Sequence, residues 1–364
     1  MKKKHQHFIP QTYLRKFAHS NLEDTYLVDA YNKLDCQTKS NISIRDICVD
    51  TDLYTLDHLP GEQKYRIEDF FNENIESNYP KIYDLLVKKK EKFISGEERT
   101  LILYTTLSMY FRTPKILNQF VNFSTKLIDD LKKEKDIKTI NFLGNNINLS
   151  AKSYRELKKE IREKHRINYI QTQLLLLNEF IRHKAFDGFA VLELIGDQEF
   201  ITCDNPVIIE NLSGLGFNLF DPGNTIYIPL DNKHALFIGP QQEESILNQV
   251  FYQRDDFFLH VIVNHLLYTS AERWIIGTSK GIKQFLDDEI EYSKPAKGDE
   301  IIVKKFKSMV EIMQKLASLA ELGISNENTE LIKFINQIKT DKTFKETPQF
   351  NDIFKQLKEL GLDI

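Results

Sequence analysis

One long β-rich tract limits what this chain can fold into. Between Phe189 and Ile238 the apolar residues favour strands, whereas the rest of the second half is mostly helical in pattern. Within this tract the apolar run Phe200–Ile209 is interrupted by Thr202–Asn205 and closed by Pro206. A rigid turn of this kind between two strands is typical of a position that presents side chains to a ligand.

Further strands are predicted on both sides of this turn. Tyr227–Leu230 and Ala235–Ile238 predict a hairpin, and Tyr26–Tyr31 and Arg273–Ile276 each predict one more strand.

Helical periodicity covers most of the remaining chain. A helix is predicted over Thr100–Arg112, interrupted at Thr113-Pro114 and resumed over Ile116–Leu131. Ser150 is the predicted N-cap of a long helix through Arg182, and Ile246–Tyr268 is predicted to be helical. We therefore predict an α+β fold, a modest and mainly antiparallel sheet surrounded by helices.

A charged stretch divides the chain into two predicted parts. The linker is placed at Asp287–Gly298, between a core domain over residues 1–285 and a helical C-terminal tail over residues 299–364. Apolar stripes on amphipathic tail helices need a partner, so the tail is expected to dock on the body or to mediate self-association. The predicted tail helices cover Ile302–Ala320, Leu331–Ile338 and Ile353–Leu360.

Composition excludes several classes of protein. The formal net charge of −4 over 364 residues gives no overall basic field, so binding of nucleic acid would need a local patch. Three cysteines without a CxxC pair favour a reducing compartment over a disulfide scaffold. No apolar run approaches the roughly 20 residues that span a bilayer, and the N-terminus has no apolar signal core. We therefore predict a cytoplasmic protein without a membrane partner.

Several short motifs follow one another in a characteristic order. They are His7-Phe-Ile-Pro10 with Tyr13-Leu-Arg15 and Phe17, then Ile75-Glu76, Phe111-Arg-Thr-Pro114, Phe200-Ile-Thr-Cys-Asp-Asn-Pro-Val207, Pro229-Leu230, and Asn264 with Ala271. The series resembles a mainly microbial family known as domain of unknown function forty-two thirty-eight, over about residues 3 to 280. The family usually has serine where this chain has Cys203, and the resemblance implies no particular reaction.

Polar residues within these motifs are the candidate site. His7, Glu76 and Asp204 could serve as metal ligands or acid–base groups, because imidazole and carboxylate groups do both. Each has a simpler interpretation: His7 orients the turn before Pro10, Asp204 forms an Asx-turn, and Glu76 pairs with Arg112. If Asp204 holds a metal, exchange to asparagine should remove the charge and preserve most of the turn.

Three further residues are predicted to contact the substrate. Arg112 could bind phosphate through its fork of donors, or could satisfy the last carbonyl groups of its own helix. Asn205 and Asn264 are assigned to substrate binding with it.

Three functional hypotheses follow. The first is a metal-assisted phosphodiester hydrolase, a nuclease that uses Mg²⁺ or Mn²⁺ on nucleic acid as a defence or toxin-type effector. The second is a non-catalytic module that binds a nucleotide, a peptide or a phage component through Arg112 and the Asp204 turn. In the third, every motif residue is structural. Convergence of His7, Arg112 and Asp204 in one cleft would favour the first two.

Overall fold

Helices and strands alternate irregularly along the chain. The computed structural model describes residues 5–22, 25–56, 59–133, 138–142, 145–148, 153–164, 166–211, 218–240, 247–255, 259–292 and 328–340. Within these ranges the fold is α+β, as predicted, but the strands form two five-stranded sheets and two separate two-stranded pairs. The mainly antiparallel strands are thus divided among four sheets within the described residues.

The described strands are numbered in chain order. They are β1 (His5–His7), β2 (Ser20–Leu22), β3 (Thr25–Asn32), β4 (Gln37–Ser43), β5 (Val49–Thr51), β6 (Thr139–Phe142), β7 (Asn145–Asn148), β8 (Gly188–Leu194), β9 (Thr202–Cys203), β10 (Ile208–Asn211), β11 (Asn224–Pro229), β12 (His234–Gly239), β13 (Val250–Asp255) and β14 (Trp274–Gly277).

The described α-helices are numbered in the same way. They are α1 (Gln11–Leu14), α2 (Arg66–Asn74), α3 (Tyr79–Tyr83), α4 (Gly96–Phe111), α5 (Pro114–Lys132), α6 (Tyr154–Lys164), α7 (Arg166–Lys184), α8 (Leu259–Ser270), α9 (Ser279–Tyr292) and α10 (Thr329–Thr340). Short 3-10 turns lie at Arg15–Phe17, Gly61–Tyr65 and Glu76–Asn78, and a π-helical turn at Asp84–Lys88.

The first large sheet has the strand order β10-β11-β12-β8-β13. The predicted hairpin is confirmed, since β11 and β12 pair antiparallel from Ile226 opposite Ile238 to Pro229 opposite Ala235. The prediction of helix across Ile246–Tyr268 is wrong in its first half, because β13 pairs in parallel with β8. The segment is rich in aromatic and β-branched residues, and its pairing with a distant strand overrides the local helical pattern.

The second large sheet joins distant parts of the chain. Its order is β2-β3-β14-β9, and β4 also pairs with β3. The strands predicted at Tyr26–Tyr31 and Arg273–Ile276 are confirmed as β3 and β14, which pair antiparallel from Asp29 opposite Gly277 to Asn32 opposite Trp274. On its other edge β14 pairs with β9, so it lies between the N-terminal strands and the polar turn after Cys203.

Local sequence signals explain where several helices begin and end. As predicted, the helical pattern breaks at Thr113-Pro114, with α4 ending at Phe111 and α5 beginning at Pro114. Ser150 lies outside the described residues, and the described capping box before α6 is formed by Ser153. The Ser153 Oγ accepts from the Glu156 backbone N–H at 3.3 Å, and the Glu156 carboxylate accepts from the Ser153 N–H at 2.8 Å.

The chain divides into two compact units, Met1–Asp287 and Asp288–Ile364. In the second unit, α10 confirms the helix predicted at Leu331–Ile338. The predicted tail helices Ile302–Ala320 and Ile353–Leu360 lie outside the described residues, so self-association through the tail stays a prediction. No helix in the described ranges is long and apolar enough to cross a membrane.

A buried arginine ties three segments of the first unit together. Arg99, in the first turns of α4, donates to the backbone carbonyl oxygens of Ala185 at 2.6 Å, Leu247 at 2.7 Å and Asp187. Its guanidinium also lies over the Phe189 ring, 4.2 Å from the centroid. The planar fork satisfies two carbonyl groups just before β8 and one before β13.

Replacement of this arginine should therefore destabilise the fold. We expect Arg99→Lys to lower the free energy of unfolding by about 2 to 3 kcal/mol, because a single ammonium cannot reach all three buried carbonyl groups. Urea unfolding monitored by circular dichroism measures the change. The control is Arg182→Lys, since the Arg182 side chain is 77% exposed and pairs with exposed Glu179. Equal effects of the two substitutions would contradict this account.

Candidate functional site

Arg112 joins two of the predicted site residues. One terminal nitrogen, Nη2, donates to the Glu76 carboxylate at 2.7 Å and to the backbone carbonyl of His7 at 2.5 Å. The Tyr54 hydroxyl donates to the Arg112 carbonyl oxygen at 2.9 Å, and the guanidinium lies 4.4 Å from the Phe71 ring centroid. The arginine therefore holds β1 against the helical region by internal contacts.

The space beside Arg112 is too small for a substrate phosphate. Its Nε and Nη1 atoms are buried and have no hydrogen-bond partner in the described part of the chain. The adjoining cavity holds only about 20 Å³ and is lined largely by apolar side chains. That volume is about right for one water molecule. The geometry thus gives Arg112 a structural role, and its predicted contact with a phosphate has no room here.

Both ring nitrogens of His7 have protein partners. Its Nε2 lies 3.1 Å from the carbonyl oxygen of Ile44, and its Nδ1 lies 3.4 Å from the side-chain nitrogen of Gln11. A neutral ring that donates from Nε2 and accepts at Nδ1 satisfies both contacts. Burial lowers the pKa of His7, which also favours the neutral form.

Asp204 is held by backbone amides of a different segment. One carboxylate oxygen accepts from the Glu272 N–H at 3.0 Å, and the other accepts from Arg273 at 2.8 Å and Trp274 at 3.0 Å. The Asp204 N–H in turn donates to the Trp274 carbonyl at 3.1 Å. Burial raises the pKa of Asp204, and the three amide donors offset part of that effect. The carboxylate thus connects the turn after β9 to the start of β14.

The predicted site residues are only partly brought together. His7, Glu76 and Arg112 are in contact, whereas no hydrogen bond or ion pair of the described residues joins them to Asp204. No group of three or more His, Cys, Asp or Glu side chains in the described ranges could hold a metal ion. The expected convergence of His7, Arg112 and Asp204 in one cleft therefore stays a prediction, as do their catalytic roles.

The two predicted asparagines have different surroundings. Asn264, in α8, accepts from the Ile201 N–H at 3.0 Å and donates to the Glu199 carbonyl at 2.9 Å, so both ends of its amide are used inside the protein. Asn205 donates from Nδ2 to the Ser270 hydroxyl at 2.5 Å, but its buried Oδ1 has no partner among the described residues. Asn205 is thus the predicted binding residue with an unused acceptor.

Asn205 lines an open pocket of about 420 Å³, here called the motif pocket. It lies between the end of α4, the first turns of α5, strand β10 with the turn before it, and the end of α8. Its walls are partly aliphatic, and the polar lining consists of Lys115, Gln119, Asn205, Glu210, Thr269 and Ser270. This volume lies within the range of about 300–1,000 Å³ typical of small-molecule sites.

Two charged residues of the motif pocket escaped the sequence analysis. Lys115 follows the Arg-Thr-Pro motif directly, and its ammonium donates to the Ser270 carbonyl at 2.6 Å and lies 3.3 Å from the Ser270 hydroxyl. Glu210 ends the apolar run that follows Asp-Asn-Pro, and it is half-buried. The sequence does carry a signal for both residues, because each is a charged residue directly after a motif or at the end of its apolar run. Burial lowers the pKa of Lys115 and raises that of Glu210.

Comparison with known proteins identifies the family. The model of the family described as Protein of unknown function (DUF4238) matches residues 5–281. The chain belongs to DUF4238. No protein of curated function and no solved structure matches the chain. In this DUF4238 member, Lys115 directly after the Arg-Thr-Pro motif and Asn205 within the Asp-Asn-Pro motif are distant in sequence, but both line the motif pocket.

The contacts of Asp204 predict that Asp204→Asn destabilises the fold. A metal-binding role instead predicts that the substitution preserves most of the turn. Both carboxylate oxygens accept backbone N–H groups, so an asparagine must direct its own N–H₂ at one of these donors. We expect Asp204→Asn to lower the free energy of unfolding by about 2 kcal/mol or more, as measured by urea unfolding. The control is Asp197→Asn, because the Asp197 side chain is 92% exposed. A loss of less than about 0.5 kcal/mol for Asp204→Asn would contradict the structural role.

Proposed function

We propose that this DUF4238 protein is a non-catalytic binding module that takes a small polar ligand in the motif pocket. The proposal keeps the binding hypothesis of the sequence analysis and changes the residues that carry it. Arg112 is tied to Glu76 and adjoins a cavity of only about 20 Å³, and the Asp204 carboxylate is satisfied by backbone amides. Recognition is therefore assigned to Lys115 and Asn205, which lie next to them in sequence.

The single observation that carries the proposal is the unpaired amide oxygen of Asn205. The Ser270 hydroxyl donates its one proton to the Asn205 carbonyl at 3.2 Å, so it can only accept from the Asn205 side chain. This fixes Nδ2 toward Ser270 and leaves Oδ1 as the unpaired atom. A buried acceptor without a partner costs about 1 to 3 kcal/mol. A ligand whose entry displaces the side chains that cover Oδ1 would recover this cost with an N–H or O–H donor.

The surroundings of Asn205 support a ligand of mixed polarity. Lys115 supplies a cation whose contacts to Ser270 leave one ammonium proton for a ligand, and Glu210 supplies an acceptor. Aliphatic side chains from α5, β10 and α8 separate these groups. Apolar walls with a few placed polar groups are the usual composition of a small-molecule site.

The nuclease hypothesis has less support from the geometry. Hydrolysis assisted by Mg²⁺ or Mn²⁺ needs carboxylates grouped around the metal, and Asp204 and Glu76 make their hydrogen bonds to different segments. Nucleic acid as a partner and a role in defence therefore do not enter the proposal.

A thermal-shift screen tests the proposal. Amino acids, nucleotides, sugars and polyamines are each added to the full chain at about 100 times a typical micromolar Kd, where a specific ligand stabilises the fold by about 2.7 kcal/mol. We expect one chemical class to raise the melting temperature of the wild type by several degrees. A screen in which no class raises it would contradict the proposal.

A pocket-filling variant locates the effect. Thr269 is exposed and lines the motif pocket, so Thr269→Trp should fill the space while leaving the core intact. The response to the ligand should disappear in this variant. It should persist in Lys126→Trp, where the same large side chain is added at an exposed position of α5 outside the pocket lining. Equal responses of both variants would place the ligand elsewhere.

A further inference from the structure

Opposite charges lie at different places in the motif pocket and do not pair with each other. Lys115 is bound to Ser270 at the beginning of α5, and the groups that act on its charge are Cys203, Glu272 and Asp204. Glu210 is not among the groups that interact with the Lys115 charge. Glu210 forms no ion pair among the described residues, and burial raises the pKa of its carboxyl group. The pocket therefore has a cationic end and a separate anionic end.

The cationic end is strengthened by the start of α5. The backbone N–H groups in the first turn of a helix have no intrahelical partner, and the helix dipole favours an anion there. Thr113, the N-cap residue, directs its hydroxyl to the Tyr110 carbonyl at 3.3 Å and does not cap the helix. Lys115 and Ile116 of this turn both line the motif pocket. A carboxylate could thus contact an ammonium and helix amides together.

The anionic end lies on the sheet. Glu210 is opposite Thr225 in the pairing of β10 with β11, and its charge acts on the nearby Tyr227 hydroxyl, whose pKa is raised to about 12 by burial and by Glu210. A half-buried carboxylate without a cation is unfavourable. An ammonium group of a ligand would compensate it. Between the two ends, Val207, Ile208 and Leu266 provide an aliphatic surface.

We infer that the ligand of the motif pocket is a zwitterion of the amino-acid type, with its carboxylate at Lys115 and its ammonium at Glu210. The inference rests on the proposed function and specifies the ligand class. The donor that Asn205 Oδ1 lacks would come from an N–H or O–H of the same molecule. A methylene chain between the two charged groups fits the aliphatic middle of the pocket.

Calorimetric titration of the full chain tests the inference with a matched set of probes. The zwitterions are glycine, γ-aminobutyrate and ε-aminocaproate, which differ in the separation of their charges. n-Caproate and n-hexylamine carry one charge each on a similar chain. We expect one zwitterion to bind at least about tenfold more tightly than either singly charged probe, which corresponds to about 1.4 kcal/mol for the second charge-assisted contact.

Two variants assign the ends of the ligand. Glu210→Gln should weaken binding of that zwitterion about tenfold or more and leave n-caproate unchanged, whereas Lys115→Gln should weaken both. Glu179→Gln and Lys126→Gln, at exposed helical positions outside the pocket lining, should leave all affinities unchanged. Without ligand, the melting temperature of Glu210→Gln should equal or exceed that of the wild type, because the substitution removes an unpaired charge.

The outcomes separate this inference from the proposed function. If nucleotides or sugars bind in a manner abolished by Thr269→Trp, but no zwitterion exceeds the singly charged probes, the zwitterion inference is overturned and the binding module stands. If no compound of any class binds, both are overturned. A Glu210→Gln variant that folds normally and still prefers the zwitterion tenfold would also overturn the inference.

Discussion

The arrangement of the second sheet depends on one buried carboxylate. Asp204 accepts backbone N–H groups from three consecutive residues, Glu272 to Trp274, and thereby fixes the chain where it enters the central strand β14. The next residue, Asn205, is consequently held against Ser270. One motif thus supplies a structural carboxylate and, beside it, an unsatisfied amide.

Local signals in the sequence predicted much of the fold. The break at Thr113-Pro114, the hairpin before Ile238 and the strand at Arg273–Ile276 follow from proline geometry and from runs of β-branched and apolar residues. Strand β13 could not be found in this way. It is defined by parallel pairing with β8, and such pairing is specified by contacts between distant residues. The division of the strands between two sheets was missed for the same reason.

The candidate site shows a different limit. The residues predicted to form the site are polar residues within short, largely apolar motifs: His7, Glu76, Arg112, Asp204, Asn205 and Asn264. Such residues are buried, and a buried polar group must be satisfied by the protein. Choosing polar residues in apolar segments therefore favoured residues that hydrogen-bond within the protein over residues that contact a ligand. The charged residues of the motif pocket, Lys115 and Glu210, stand at the edges of the same motifs.

The position of β14 has a consequence for how the protein is made. This strand lies between β3 and β9, so residues 29–32 find their partner only when residues 274–277 are available. At synthesis rates of about 5–20 residues per second, β3 waits between roughly ten and fifty seconds with one edge unpaired on the ribosome. Open strand edges readily pair with other chains. The pairing order thus means that the second sheet is completed late in synthesis, and until then the open edge of β3 is exposed to other chains.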